Sequence, residues 1–158
     1  RCAAAMSGLT TPPDIVVNLQ GDAPLTPAAM VSAVVALLAA RDDLVMTTAV
    51  VPTTPSVLAH LQADAAAGRV GGTTAVCARD GRALYFSKSI IPHVGPGTTP
   101  VQPVLLHVGL YAYRPAALAA YVAAGPAPLE LQEGLEQLRF LDAGLPVGVA
   151  QCAAPAWD

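Results

Sequence analysis

An amide and a carboxylate stand where a predicted strand meets a turn, which is a place where ligands are often bound. The mainly apolar run 15–19 ends abruptly in Gln20-Gly21-Asp22. The β-branched run predicts a buried parallel strand, and Gly21 permits a sharp turn after it. A single carboxylate at that edge of an α/β sheet suits a hard cation bridging to a phosphate. An ordinary turn aspartate that caps the next helix is an equally good interpretation of Asp22.

Other polar residues have plain structural interpretations when the residues alone are considered. His107, inside an apolar strand, is more often a satisfied core histidine than a ligand. Lys88 could be a solvated charge at the end of a hairpin. Glu136 and Arg139, at i and i+3, could form a surface ion pair worth roughly a few tenths of a kcal/mol.

Composition and charge exclude several classes of function. The net charge of −3 and the 8 Lys plus Arg residues argue against nucleic-acid binding. The most apolar predicted helix, 27–40, is too short to span a bilayer, and no signal-peptide pattern opens the chain. The 3 cysteines are far apart, which indicates buried thiols in a reducing cytoplasm rather than a disulfide framework or a zinc site.

The pattern of elements predicts one α/β domain over residues 1–158. An Ala-rich helix at the start is followed by strand, helix, strand and helix, as in a parallel sheet with crossover helices. Asp80-Gly81 then predicts a hairpin, and residues 92–103 a loop. The later predicted elements are a strand over 104–113, helices over 114–125 and 128–143, and a last strand over 146–151. Because the chain opens inside a helix and stops just after a strand, we expect it to be an excerpt from a longer protein.

Four stretches together carry a family resemblance. They are 18–24 (Asn-Leu-Gln-Gly-Asp-Ala-Pro), 83–88 (Ala-Leu-Tyr-Phe-Ser-Lys), 107–114 (His-Val-Gly-Leu-Tyr-Ala-Tyr-Arg), and 128–130 with 135–139 (Pro-Leu-Glu and Leu-Glu-Gln-Leu-Arg). In this order and at these separations they resemble the 3-deoxy-manno-octulosonate cytidylyltransferases, the CMP-Kdo synthetases of Gram-negative bacteria. The similarity covers nearly the whole chain.

The resemblance implies a fold, a reaction and a cofactor. The family has a Rossmann-like nucleotide-diphospho-sugar transferase fold, with a mixed, mostly parallel sheet and flanking helices. Its members join CTP to the acid sugar Kdo and release pyrophosphate, for lipopolysaccharide or capsule synthesis. They are Mg²⁺-dependent cytoplasmic homodimers. Because such a reaction needs positioning and charge neutralisation, the absence of a Gly-x-Ser-x-Gly, HExxH or Walker motif is consistent with it.

The resemblance also assigns roles to individual residues. Asp22 matches the aspartate that holds magnesium, and Lys88 matches a basic residue facing the carboxylate of the sugar acid; these two are the expected catalytic residues. Arg1 matches a residue that supports the cytosine pocket. The remaining matches are to residues that line the sugar site: Gln20, His107, Tyr111, Glu136 and Gln137.

Departures from the family pattern leave alternatives open. Ala23 stands where the family usually has Glu, and Thr74 stands where it has Lys. The family's Leu-Pro-Gly-Lys phosphate loop is not in this sequence, nor is its closing acidic segment, although Asp158 lies close to that position. The alternatives are therefore a cytidylyltransferase for another nonulosonic acid, such as sialic acid, and a non-catalytic binding or dimerisation module.

Overall fold

The computed structural model describes residues 2–21, 23, 25–95 and 97–154. Three residues of interest from the sequence, Arg1, Asp22 and Asp158, lie outside this described part. Within it, no helix is long and apolar enough to cross a membrane.

Six strands and six helices make up the described part of the chain. The strands are β1 (Val16–Leu19), β2 (Met46–Pro52), β3 (Thr74–Cys77), β4 (Ala83–Ser87), β5 (Leu105–Tyr113) and β6 (Val147–Gln151). The helices are α1 (Cys2–Met6), α2 (Ala28–Ala40), α3 (Pro55–Ala66), α4 (Pro115–Ala124), α5 (Pro128–Glu133) and α6 (Leu138–Asp142). The predicted α/β class is confirmed, and all six predicted strands are present.

The strands form one mixed sheet in the order β4-β3-β5-β2-β6, with β1 also pairing with β5. Among the described strands, β1, β2, β3 and β6 run in one direction, as the prediction of a mostly parallel sheet requires. However, β5 runs against them in the middle of the sheet, so β2–β6 is the parallel pairing and the other pairings are antiparallel.

The predicted environment of β1 is wrong. It pairs antiparallel with β5, Val16 opposite Tyr113, and it is not buried on both faces. Val17 and Leu19 are 38% and 47% exposed. A short apolar run shows that a strand forms, but not whether helices cover both of its faces. The prediction failed because it took hydrophobicity as evidence of two-sided burial.

Helices cover the two faces of the sheet and create two apolar layers. On one face, α2 packs Met30, Val34 and Leu38 against Leu110 and Ala112 of β5. These three helical residues follow the spacing predicted from the sequence. On the other face, residues of α4 and α6 pack against the central strands, and this second layer contains most of the aromatic side chains.

The second layer contains a continuous row of aromatic rings, here called the aromatic row. Neighbouring ring centroids are 5.1 to 5.9 Å apart, which is the range of favourable aromatic pairs. The row links β4, β5, α6 and α4, and its members in spatial order are Phe86, His107, Tyr111, Tyr113, Phe140 and Tyr121. It therefore connects the sheet to the helices that cover it.

His107 is a neutral member of this row. Its Nε2 lies 2.9 Å from Thr48 Oγ1, and the Thr48 hydroxyl lies 2.8 Å from the carbonyl of Leu110, to which it donates. Since a hydroxyl has a single hydrogen, Thr48 accepts from His107, which fixes the Nε2–H tautomer. Burial lowers the pKa of His107 to about 4, so the ring carries no charge at neutral pH.

The helix predicted over residues 128–143 is broken, which corrects the sequence reading. α5 ends at Glu133, Gly134 adopts a left-handed conformation (φ 62, ψ 39), and α6 begins at Leu138. Glycine adopts this conformation without the steric cost that other residues meet. The break leaves Glu136 exposed and buries Gln137, which is 2% exposed.

The ion pair predicted between Glu136 and Arg139 is also wrong, because Arg139 binds Glu130. Its Nε and Nη2 donate to the two carboxylate oxygens of Glu130 at 2.7 and 2.6 Å. The guanidinium also lies 3.7 Å from the ring centroid of Tyr121. The Arg139 and Glu130 side chains are only 12% and 11% exposed. This is a bidentate pair inside the structure rather than a surface contact.

We predict that Arg139→Met lowers the free energy of unfolding by about 2–4 kcal/mol, because it leaves the Glu130 carboxylate inside the protein without its cation. Arg69→Met is the matched control. Arg69 also pairs with a carboxylate, that of Asp64, but its side chain is 66% exposed, and such pairs contribute at most about 1 kcal/mol. Urea unfolding at pH 7 measures both. Equal losses for the two variants would contradict the assignment of Arg139.

The pKa of His107 predicts how stability changes in acid. Because the folded pKa of about 4 lies below the ordinary 6.5, protonation favours the unfolded chain. This contribution to stability is present above pH 6.5 and lost as the pH falls towards 4.

We therefore predict that the stability advantage of the wild type over His107→Gln shrinks by up to about 3 kcal/mol between pH 7 and pH 4. His60→Gln, at an exposed position of α3, should instead follow the wild type throughout. The measurement is urea unfolding at several pH values. A gap between wild type and His107→Gln that does not change with pH would refute the prediction.

Candidate functional site

A pocket of about 700 Å³ opens on the helical side of β1. Its wall comes from the end of β1, from α1, from α4, and from the α5–α6 region. The lining side chains that can make polar contacts are Cys2, Asn18, Gln20, Tyr113, Tyr121, Glu136 and Gln137. Three of the predicted site residues, Gln20, Glu136 and Gln137, are thus brought together although they are far apart in the sequence.

The amide of Gln20 lies over Gly109 of β5. His107, Gly109, Tyr111 and Tyr113 are alternate residues of that strand and share one face. A Cβ added to Gly109 would overlap Oε1 of Gln20. The missing side chain at position 109 therefore makes room for Gln20 on the sheet.

Gln137 brings an unpaired hydrogen-bond donor to the pocket. Its Oε1 accepts a hydrogen bond from the Tyr111 hydroxyl at 3.4 Å, while Nε2 has no partner among the described residues. Burial raises the pKa of Tyr111 far above its usual value, so the phenol remains a donor. An unpaired buried amide costs roughly 1–3 kcal/mol. Gln137 thus lines the pocket with an amide whose hydrogen-bonding capacity the described residues do not fully use.

Glu136 brings an acceptor next to this donor. Its carboxylate forms no ion pair with a described residue, and the residue is exposed at the pocket. A carboxylate that accepts and amides that both donate and accept are the set that recognises the hydroxyl groups of a polyol. The pocket can therefore bind a sugar-like molecule.

The other predicted residues lie elsewhere. Tyr111 donates a hydrogen bond to Gln137 and does not line the pocket. His107 packs between Phe86 and Tyr111 and also lies behind the pocket wall. Lys88 is exposed at the end of β4, beside the α5–α6 loop.

Two predicted residues cannot be located. Arg1 and Asp22 lie outside the described residues, and their predicted roles remain predictions. Their sequence neighbours Cys2 and Gly21 line the pocket.

The sequence analysis missed several pocket residues. Asn18, Tyr113, Tyr121 and Phe140 line the pocket but were not selected. Two signals could have identified some of them. Asn18 is the polar residue within an otherwise apolar strand, and Tyr113 follows Tyr111 by two positions on a strand, so both tyrosines must lie on one face.

The side-chain oxygen atoms at the pocket are compatible with magnesium binding. The described residues contain no group of three His, Cys, Asp or Glu side chains that could hold a metal. Magnesium does not require such a cage, since it commonly takes one or two carboxylates together with water and substrate phosphates. Glu136 and Gln20 supply hard oxygen atoms at the pocket, and Asp22 would add the carboxylate that the sequence predicts.

Several known proteins that are similar to this chain share one name. A 3-deoxy-manno-octulosonate cytidylyltransferase of Maricaulis maris is 41% identical over 149 residues, which is 94% of this chain and 57% of that protein. The protein of that name from Chlamydia abortus is 36% identical and matches all of this chain and 59% of its own length. The chain thus spans well under two thirds of these relatives.

Two further comparisons concern the fold and the family. A solved structure of CMP:2-keto-3-deoxy-manno-octonic acid synthetase with CTP superimposes with a TM-score of 0.79 at 30% identity, covering 99% of this chain and 60% of that one. This confirms the nucleotide-diphospho-sugar transferase fold that the resemblance implied. The family model described as cytidylyltransferase matches residues 1–147. The chain therefore belongs to the cytidylyltransferase family.

Proposed function

We propose that the full-length protein transfers CMP from CTP to 3-deoxy-D-manno-octulosonate and releases pyrophosphate, for lipopolysaccharide or capsule synthesis. The observation that carries this proposal is the convergence of Gln20, Glu136 and Gln137 on one pocket, where Nε2 of Gln137 has no partner among the described residues. The relatives named for this reaction and the CTP complex of the structural neighbour support it.

In this proposal the chain binds and orients the sugar, without forming a covalent intermediate. Gln20, Glu136 and Gln137 bind sugar hydroxyls, and Lys88 pairs with the sugar carboxylate. A sugar hydroxyl oxygen then bonds to the α-phosphorus of CTP, the bond from that phosphorus to the bridging oxygen breaks, and pyrophosphate departs. The hydroxyl proton passes to solvent. Holding the two reactants in line is the main contribution expected of such a site.

Charge neutralisation accounts for the rest of the proposed chemistry. Magnesium held by Asp22 would offset the charge of the phosphates and lower the pKa of the attacking hydroxyl. Arg1 would support the cytosine. We also propose a cytoplasmic homodimer. Leu129 and Leu131 on α5, which are 40% and 70% exposed, are consistent with association of two copies.

A second candidate is the same reaction on another nonulosonic acid, such as sialic acid. It is favoured by Thr74, which replaces a lysine of the family pattern. Thr74 is 1% exposed, and its hydroxyl donates to the carbonyl of Ser89 and accepts from the amide of Ile91. It therefore supplies a structural contact rather than a charge. Replacing a lysine by an uncharged residue is one way in which the preference for a particular acid sugar can change.

We predict that the full-length protein releases pyrophosphate from CTP with 3-deoxy-D-manno-octulosonate faster than with any other pairing of CTP, UTP, ATP or GTP with a panel of acid sugars. A continuous pyrophosphate assay with Mg²⁺ measures this. A preference for sialic acid would support the second candidate. Absence of release with every pairing would refute catalysis and favour the non-catalytic binding or dimerisation module.

We predict that Asp22→Asn lowers kcat by on the order of 100-fold or more at saturating Mg²⁺, because the metal loses its carboxylate ligand. Asp14→Asn, at an exposed position just before β1, is the matched control and should retain activity. Thermal unfolding should show both variants folded. Turnover of Asp22→Asn within a few-fold of the control would contradict the metal assignment.

A further inference from the structure

The backbone around Lys88 is held by a carboxylate from the facing helix. Glu133, the last residue of α5, accepts a hydrogen bond from Ser87 Oγ at 2.7 Å through Oε1, and one from the Lys88 backbone amide at 2.9 Å through Oε2. Ser87 is 3% exposed. The carboxylate of Glu133 is therefore engaged with the main chain and the neighbouring serine.

The other side of Lys88 is fixed as well. Ser89 donates its backbone amide to Ser87 Oγ at 3.0 Å. Thr74 Oγ1 binds the Ser89 carbonyl at 2.7 Å and the Ile91 amide at 3.0 Å. The main chain at position 88 is thus fixed from both directions while its side chain stays exposed.

The ammonium of Lys88 lies where a side chain of residue 134 would be. Nζ is 2.8 Å from the Cβ position that a larger residue would have at Gly134. Gly134 is the left-handed residue that separates α5 from α6 and precedes Glu136 and Gln137 in the same loop. This glycine therefore has two roles: it permits the turn and it leaves space for the cation.

The charges of the chain leave this cation available for a ligand. Lys88 is the single lysine in the sequence. Five of the six arginines in the described part form ion pairs, whereas Lys88 forms none with a described carboxylate. Among the described residues, the carboxylate of Glu133 contacts Lys88, and it binds the backbone amide rather than the ammonium.

We propose that Glu133 and Gly134 are positioning residues that direct the ammonium of Lys88 towards the pocket loop of Glu136 and Gln137, where it binds the carboxylate of an acid sugar. Glu133 fixes the backbone from which the side chain extends, and Gly134 leaves the space for its charged end. This proposal rests on the proposed function and adds the means by which that site selects an anionic sugar over a neutral one.

The first test compares two glycine-to-alanine variants of the full-length protein. Gly134→Ala forces the ammonium to move, whereas Gly68→Ala also places alanine at a positive φ (+70) but with nothing within 4 Å of the new Cβ. We expect Gly134→Ala to raise the KM for the sugar acid roughly tenfold and leave the KM for CTP unchanged. Gly68→Ala should change neither value, while both lower the Tm. Equal KM values in the two variants would overturn the proposal.

A second test asks whether residue 134 acts through Lys88. Lys88→Met alone should raise the KM for the sugar acid, because the carboxylate loses its partner. In that background Gly134→Ala should add no further increase. A full additional increase would show that Gly134 acts independently of Lys88 and would refute the proposal. Glu133→Gln, which keeps size but loses an acceptor, should also raise the KM for the sugar acid alone.

A measurement that needs no turnover tests the positioning of Lys88 separately from the proposed function. If the wild type releases no pyrophosphate, the positioning of Lys88 is decided by its acetylation with acetic anhydride, followed by peptide mass spectrometry. An acetylation rate that changes in Gly134→Ala but not in Gly68→Ala supports the positioning. Identical rates in wild type and both variants refute it.

Discussion

The carboxylate of Glu130 is the contact on which the helical wall of the pocket depends. It accepts hydrogen bonds from the Tyr121 hydroxyl on α4, from the backbone amide of Ala127 before α5, and twice from Arg139 on α6. The guanidinium of Arg139 holds the pKa of Glu130 below its usual range. A carboxylate with this number of donors is satisfied inside a protein, and it fixes the elements that supply them. Three short helices, none of which would be stable alone, are thereby joined.

The three glutamates of the chain lie at every third position, yet they point to different places. Glu130 faces the interior, Glu133 reaches the end of β4, and Glu136 faces the pocket. On an unbroken helix, residues three apart lie on nearly the same face. The left-handed turn at Gly134 separates the third glutamate from the first two. The helix break thus turns Glu136 to the pocket, away from the contacts that Glu130 and Glu133 make within the fold.

Local signals in the sequence were sufficient for the elements, but not for their partners. Periodicity predicted α2, and Asp80-Gly81 predicted the β3–β4 hairpin, because both depend on neighbouring residues. The pairing and burial of β1 and the partner of Arg139 depend on residues far away in the chain, and both predictions were wrong. For the site, the convergence of Gln20, Glu136 and Gln137 followed from family resemblance, since no spacing rule brings β1 close to α6. Tyr113 was missed although its spacing from Tyr111 is a local signal that places both on one face of β5.

The position of β5 in the sheet has a consequence for how the chain is made. β1, β2 and β3 all pair with β5. Val16 of β1, for example, can pair with Tyr113 only after residue 113 has been synthesised. During synthesis, the β3–β4 hairpin is therefore the one pairing of the described strands that can form before β5 emerges from the ribosome. Contacts between distant residues slow folding, and unpaired strands are prone to aggregate while they wait. The half-synthesised chain is thus the form in which β1 and β2 expose unpaired edges.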